Sequence, residues 1–217
     1  MSEHLWLKSL SQYRAIAIIR APRNKLGLQM AYSVVIGGMQ MIEITWNSEK
    51  PTELVSQLRR ELPGCIVGAG TILNKTQLRE AIACGAKFIF TPHVDPVLIQ
   101  AATHAGVPIV PGALTPTEIV TAWQAGASCV KVFPVHAMGG ATYLKSLQAP
   151  LNQIPLIPSG GVSLKNAKSL IDAGAIAVGV SSHLFPKKLV ATHNWEAIAL
   201  RAKALHQQLT LESDSLD

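Results

Sequence analysis

Ser128-Cys129-Val130-Lys131-Val132-Phe133-Pro134 reads as a short strand buried along its length. β-Branched residues flank its centre, a proline ends it, and a single lysine stands in the middle. Apolar segments of the same kind lie on both sides, at residues 15–20, 39–45, 65–70, 86–91, 107–111, 156–159 and 176–181. The segments between them open on cap residues and close on glycine, most clearly from Asn74 to Gly85, Thr115 to Gly126 and Ser163 to Gly174. With 129–133 the strands number eight, which predicts an α/β fold of the (β/α)8 type, a TIM barrel. A doubly wound open sheet is the alternative, but no glycine-rich dinucleotide fingerprint follows the first strand. An extra N-terminal helix over 3–14, with Leu5, Trp6, Leu10 and Tyr13 at helical spacing, is predicted to lie as a lid over one end of the core. A last helix over 194–209 closes the ring. No linker divides residues 1–217, so a single domain is expected, with the acidic tail 212–217 frayed.

The chain has 217 residues, enough for one sizeable core, and its 15% charged content argues against disorder. Lys and Arg exceed Asp and Glu by 19 to 13. The basic residues are scattered and aromatics are few, which disfavours a nucleic-acid partner. A phosphorylated or carboxylated metabolite fits such a balance, and so does incidental surface charge. Cys65, Cys84 and Cys129 are far apart and form no CxxC pair, which points to a reducing compartment without a disulfide framework. No signal peptide and no membrane-length apolar run is visible, so a cytoplasmic protein without a membrane partner is expected.

Lys131 is the first anomaly. Burying an ammonium is costly unless it is paired or deprotonated, and a desolvated neutral amine attacks carbonyl carbons. The alternative is a lysine that snorkels to water or pairs with a carboxylate. Glu43 is the second anomaly, inside Met41-Ile42-Glu43-Ile44. Alternation groups it with Met41 and Thr45, and groups Lys131 with Cys129 and Phe133. If both faces point into the barrel, amine and carboxylate share an apolar pocket, either as a nucleophile with its general acid/base or as a structural ion pair.

Strand ends carry the chemistry of this fold and are rich in polar groups here. Gly160-Gly161, with the Ser181-Ser182 pair, suits a phosphate held by backbone N–H groups and hydroxyls, although Ser-Gly-Gly also serves ordinary turns. Ser163 is a candidate cap for the next helix. Thr71 either binds a carboxylate or caps a helix, and Arg20 either binds an anion or pairs at the rim. His93 and His136 read as loop histidines. No His/Asp/Glu cluster has metal-ligand spacing, so a metal- and cofactor-free imine mechanism is preferred over a metal-enolate one.

Ile42-Glu43-Ile44-Thr45, Val67-Gly68-Ala69-Gly70-Thr71, Thr91-Pro92-His93, Pro111-Gly112, Val130-Lys131-Val132-Phe133-Pro134 and Pro158-Ser159-Gly160-Gly161-Val162 resemble the class I 2-keto-3-deoxy-6-phosphogluconate (KDPG) and 4-hydroxy-2-oxoglutarate (KHG) aldolases. The likeness runs in order from about residue 14 to about residue 207. It implies a (β/α)8 homotrimer that cleaves a small phosphorylated keto acid to pyruvate and glyceraldehyde 3-phosphate. It further implies Lys131 as the Schiff-base lysine, Glu43 as general acid/base and Thr71 as a ligand of the pyruvyl carboxylate. Arg20, Pro92, Phe133 and Ser159 fall among the implied substrate-binding positions, and Gly160, Gly161 and Ser182 at the phosphate end. The chain departs from the family pattern at Asn47, where many members carry arginine, and at Ser159, where threonine is usual. KHG cleavage to pyruvate and glyoxylate is the alternative reaction. A phosphate-sugar epimerase or isomerase, or a non-catalytic metabolite-binding barrel, ranks behind both.

Overall fold

Strand and helix alternate through residues 2–210, the part of the chain that the computed structural model describes. The order is α1 (Glu3–Tyr13), β1 (Ala15–Ile19), α2 (Asn24–Ile36), β2 (Met41–Thr45), α3 (Pro51–Glu61), β3 (Ile66–Gly70), α4 (Lys75–Ala83), β4 (Ile89–Phe90) and α5 (Pro96–His104). It continues with β5 (Ile109–Val110), β6 (Gly112–Ala113), α6 (Pro116–Gln124), β7 (Val130–Val132), α7 (Ala141–Leu151), β8 (Leu156–Pro158), α8 (Ala167–Asp172), β9 (Val178–Val180), α9 (Lys187–Ala191) and α10 (Trp195–Thr210). The acidic tail expected to fray lies outside the described residues.

Every strand pairing is parallel. Six strands form one sheet in the order β5-β4-β3-β2-β1-β9, and three form a second in the order β6-β7-β8. An isolated parallel bridge joins Ser159, just past β8, to Gly179 in β9. The fifth expected strand is divided, because Pro111 has no N–H to give to a ladder. Its carbonyl still accepts from the Lys131 N–H at 2.8 Å, so the chain on both sides of it stays beside β7.

Several helix boundaries follow from caps legible in the chain. The Asn74 side chain accepts from the Gln77 N–H at 3.0 Å. Thr115 and Glu118 form a reciprocal capping box on α6, and Gly85 and Gly126 take positive φ values of 93° and 100° where α4 and α6 stop. The expected cap at Ser163 does not form. Asn166 Oδ1 accepts the Ser163 N–H at 2.7 Å while its Nδ2 donates to the Gly161 carbonyl at 3.0 Å, and α8 begins only at Ala167.

Outward-facing Ile42, Ile44, Val130 and Val132 pack in a large cluster with helix residues such as Val34, Leu54 and Leu144. Their neighbours of opposite parity, Ile16, Met41, Phe88, Cys129 and Ile157, form an inner cluster with Trp6 and Leu10 of α1. These inner residues lie toward the strand starts, so α1 closes that end, as its periodicity predicted. Leu5 instead stands 54% exposed. The Trp6 and Phe88 ring centroids lie 5.0 Å apart, and Phe88 meets Phe90 edge-on at 5.6 Å. Trp6→Ala leaves a void that this stacked layer cannot fill, so it is expected to cost about 3–5 kcal/mol in urea unfolding. A loss below about 1 kcal/mol would mean that α1 does not seal the interior.

Candidate active site

The inner face built from the strand starts continues upward into polar residues. Two positions after Met41 comes Glu43, and two after Cys129 comes Lys131, so period-two geometry carries both side chains into the same interior. Glu43 is level with Ile18 of β1 and Gly68 of β3, and Lys131 is level with Gly112 and Ile157. Glu43 is 1% exposed and Lys131 7%. The amine sits over aromatic walls, 4.6 Å from the Phe133 ring centroid and 5.8 Å from that of Phe90.

Burial pushes the Glu43 carboxyl above its ordinary pKa, with the positive charges of Lys131 and Arg20 pulling it back. Burial pushes the Lys131 amine below its ordinary pKa; Glu43 opposes that shift and Arg20 adds to it. Both groups therefore lean toward their neutral forms. The only ion pairs within 4.0 Å among the described residues are Lys50–Glu53 and Lys168–Asp172, so Glu43 and Lys131 do not close on each other. Glu43 Oε2 is buried without a hydrogen-bond partner. A structural ion pair would satisfy these atoms. Here an acid and an amine are held near one another with bonding capacity unspent.

The room for this carboxyl comes from β3. A Cβ on Gly70 would fall 1.7 Å from Glu43 Oε1, and one on Gly68 would fall 2.5 Å from the Phe88 ring. Glycine inside a strand commonly marks the close approach of another group. The Gly-Ala-Gly stretch was legible as part of a family motif, and its role in leaving room for Glu43 was not. Phe90 was also missed, although it shares the Phe88 face by alternation.

The remaining candidates surround this pair at the strand ends. Thr71 follows β3 with φ +59°, a strained setting for a β-branched residue. It does not cap α4, since Asn74 does, and its hydroxyl makes no hydrogen bond among the described residues. Arg20 follows β1, exposed, and donates from Nε to Asn47 Oδ1 at 3.2 Å. Phe133 is 37% exposed, with its ring against the Lys131 amine. A Cβ on Gly160 would lie 3.0 Å from Phe133 Cδ2, which brings the Gly160-Gly161 turn against the same wall. Both glycines have positive φ, 82° and 84°. Ser159 is buried and its hydroxyl donates to the Gly179 carbonyl at 3.3 Å. Pro92, half-buried after β4, backs onto Gly112, where an added Cβ would fall 2.6 Å from its carbonyl oxygen. Ser182 is exposed two residues past β9, with no hydrogen bond from its hydroxyl among the described residues. His93 is an exposed loop residue, as expected, whereas His136, also exposed, opens a short 3-10 helix, His136–Met138, and its N–H donates to the Gly160 carbonyl at 3.1 Å. Among the described residues no three His, Cys, Asp or Glu side chains converge as a metal-ligand set, and no helix is long and apolar enough to cross a membrane.

A parallel α/β fold that holds a desolvated amine near a protonatable carboxyl, inside its strands with polar strand ends around them, is the framework of an enzyme that works by amine addition to a carbonyl. Comparison with known proteins gives the family. The chain belongs to the KDPG and KHG aldolases and so to the aldehyde-lyases, the family model matching residues 7–200. A 2-dehydro-3-deoxy-phosphogluconate aldolase of Dickeya dadantii (strain 3937) is 33% identical over 182 residues, 83% of this chain and 85% of that protein. KDPG aldolase from Legionella pneumophila, solved with pyruvate captured at low pH as a covalent carbinolamine intermediate, superposes with a TM-score of 0.85. It is 25% identical, covering 92% of this chain and 97% of its own. A native KDPGal structure is 31% identical with a TM-score of 0.82, covering 89% of this chain and 93% of its own.

Proposed function

We propose that the chain cleaves KDPG to pyruvate and glyceraldehyde 3-phosphate through an imine on Lys131. The observation that carries this is the buried Lys131 amine near a buried Glu43 carboxyl with no ion pair between them. The carbinolamine captured in the Legionella relative supports it. Neutral Lys131 Nζ adds to the C2 ketone, and its displaced proton goes to the carbinolamine oxygen. Glu43 then protonates that hydroxyl, water leaves, and a cationic imine faces a Glu43 carboxylate. The carboxylate takes the proton of the C4 hydroxyl, directly or through water. The C3–C4 bond breaks, its electron pair flows into the imine to give the enamine, and the aldehyde departs. Glu43 returns its proton to C3, and water releases pyruvate. Arg20 and Thr71 receive the carboxylate, Phe133 and Pro92 wall the carbon chain, and Ser159 lies toward the cleaved bond. Gly160, Gly161 and Ser182 receive the phosphate.

The same reading makes the scaffold a single-domain (β/α)8 barrel. Its support is that β5 and β6 flank a single proline, and that the Ser159–Gly179 bridge links the two sheets. A homotrimeric assembly and a cytoplasmic setting complete the proposal.

The test is pyruvate release, coupled to NADH oxidation by lactate dehydrogenase, from KDPG, its C4 epimer and 4-hydroxy-2-oxoglutarate in parallel. KDPG is expected to give the largest kcat/KM; equal or better turnover of either rival would reassign the substrate. Ser182→Ala is expected to lower kcat/KM for KDPG by about tenfold, the worth of one hydrogen bond to a charged group, and to leave 4-hydroxy-2-oxoglutarate within about twofold. Equal losses on both substrates would remove Ser182 from the phosphate end.

A further inference from the structure

We propose that the loop Trp46-Asn47-Ser48-Glu49 is a brace that sets Arg20 for the substrate carboxylate, with Asn47 as the positioning residue that fixes the guanidinium. The inference rests on the reading above that Arg20 receives that carboxylate.

The two loops are tied at every step. Asn47 Oδ1 accepts from Arg20 Nε at 3.2 Å, and Ser48 Oγ accepts from the Ala21 N–H at 3.0 Å. The Glu49 N–H donates to the Ala21 carbonyl at 2.9 Å, and Glu49 Oε2 accepts from the Asn24 N–H at 2.8 Å. Ser48 is buried, and its hydroxyl also meets Thr45 Oγ1, at 3.3 Å, at the end of β2. The brace therefore starts from the strand that carries Glu43 and ends on the residue that follows β1. A surface helix start would be served by Glu49 alone. The contacts to Arg20 and Ala21 hold the chain one turn earlier, where the charged side chain leaves the strand.

Tethering at Nε has a chemical consequence. An arginine binds a carboxylate with two parallel N–H donors, and a guanidinium held at Nε still offers its terminal edge, Nη1 with Nη2, in one orientation. Among the described residues Arg20 makes no ion pair within 4.0 Å, so its charge is available. The partner is an uncharged amide, which orients the cation without neutralising it. A carboxylate at position 47 would orient it equally and cancel the attraction. Period-two alternation from Ile16 through Ile18 puts Arg20 above the inner face, and its charge reaches both Glu43 and Lys131.

The test compares wild type, Arg20→Ala, Asn47→Ala and the double variant by borohydride trapping. Each is titrated with pyruvate and, separately, with acetone, a ketone that forms the same imine but has no carboxylate. Arg20→Ala is expected to raise half-saturating pyruvate about ten- to a hundredfold, the worth of a charge-assisted bond or two. Asn47→Ala is expected to raise it about three- to tenfold, and the double variant to match Arg20→Ala alone, since Asn47 acts only through the arginine. Half-saturating acetone stays within about twofold throughout. Wild-type pyruvate affinity in Asn47→Ala overturns the brace. So does a full additional loss in the double variant, which would put Asn47 on the substrate itself. Equal weakening of acetone trapping overturns it as well, because that is a distorted site. An Arg20→Ala variant with unchanged pyruvate affinity removes the carboxylate reading first, and the brace with it.

Discussion

Lys131→Ala should leave a folded protein with no aldol cleavage above background, a loss on the order of a million-fold or more in kcat. The imine is the only electron sink in the proposed route, and Glu43, whose charge acts on Lys131, cannot form one. Lys131→Arg should fail equally. It retains a cation, but a guanidinium does not deprotonate near neutral pH and adds poorly to ketones. A lysine present only to balance Glu43 would tolerate that exchange. Stability gives a separate readout. Burial disfavours the charged amine at this position, so Lys131→Met is expected to unfold at an equal or higher urea concentration than wild type. Inactivity with undiminished stability separates a chemical role from a structural one. Measurable turnover by Lys131→Ala would end the assignment.

Gly70→Ala should have the next largest effect, although residue 70 has no side chain to offer a substrate. Its Cβ would stand 1.7 Å from Glu43 Oε1 and 2.3 Å from its Cδ, so the carboxyl has to leave its place. Glu43→Gln removes the proton transfer itself. Both variants are expected to lose about 10²–10⁴-fold in kcat, the usual worth of a general acid/base, while still giving some borohydride-trapped pyruvate. Gly70 lies within β3 and outside the positive-φ residues, so alanine there costs little beyond the clash. Wild-type kcat in Gly70→Ala would show that Glu43 can work from elsewhere.

Much of this was legible before the fold. A charge in the middle of an apolar strand is conspicuous, and alternation alone assigned Glu43 and Lys131 to the faces that Met41 and Cys129 share in the inner cluster. Asn74 and Thr115 announced their helices because a cap is a local bond between near neighbours. What stayed hidden depends on chain segments distant in sequence. Gly70 matters through a side chain 27 residues upstream, and the Asn47 brace joins loops 27 residues apart. No periodicity records either. Ser163 was misread because the Asn166 N–H that its hydroxyl would receive donates instead to the Ser163 carbonyl, at 3.2 Å. Leu5 shared the spacing of Trp6 and Leu10, but a helix lying over one end of a core buries only a narrow stripe.

The central claim is a covalent bond between Lys131 and the substrate ketone. Pyruvate and borohydride together, followed by peptide mass spectrometry, test it directly. A reduced pyruvyl adduct on the peptide containing Lys131, absent when either reagent is omitted and absent from Lys131→Arg, is the predicted result. A folded protein with no adduct, or with the adduct on another lysine, would contradict the mechanism.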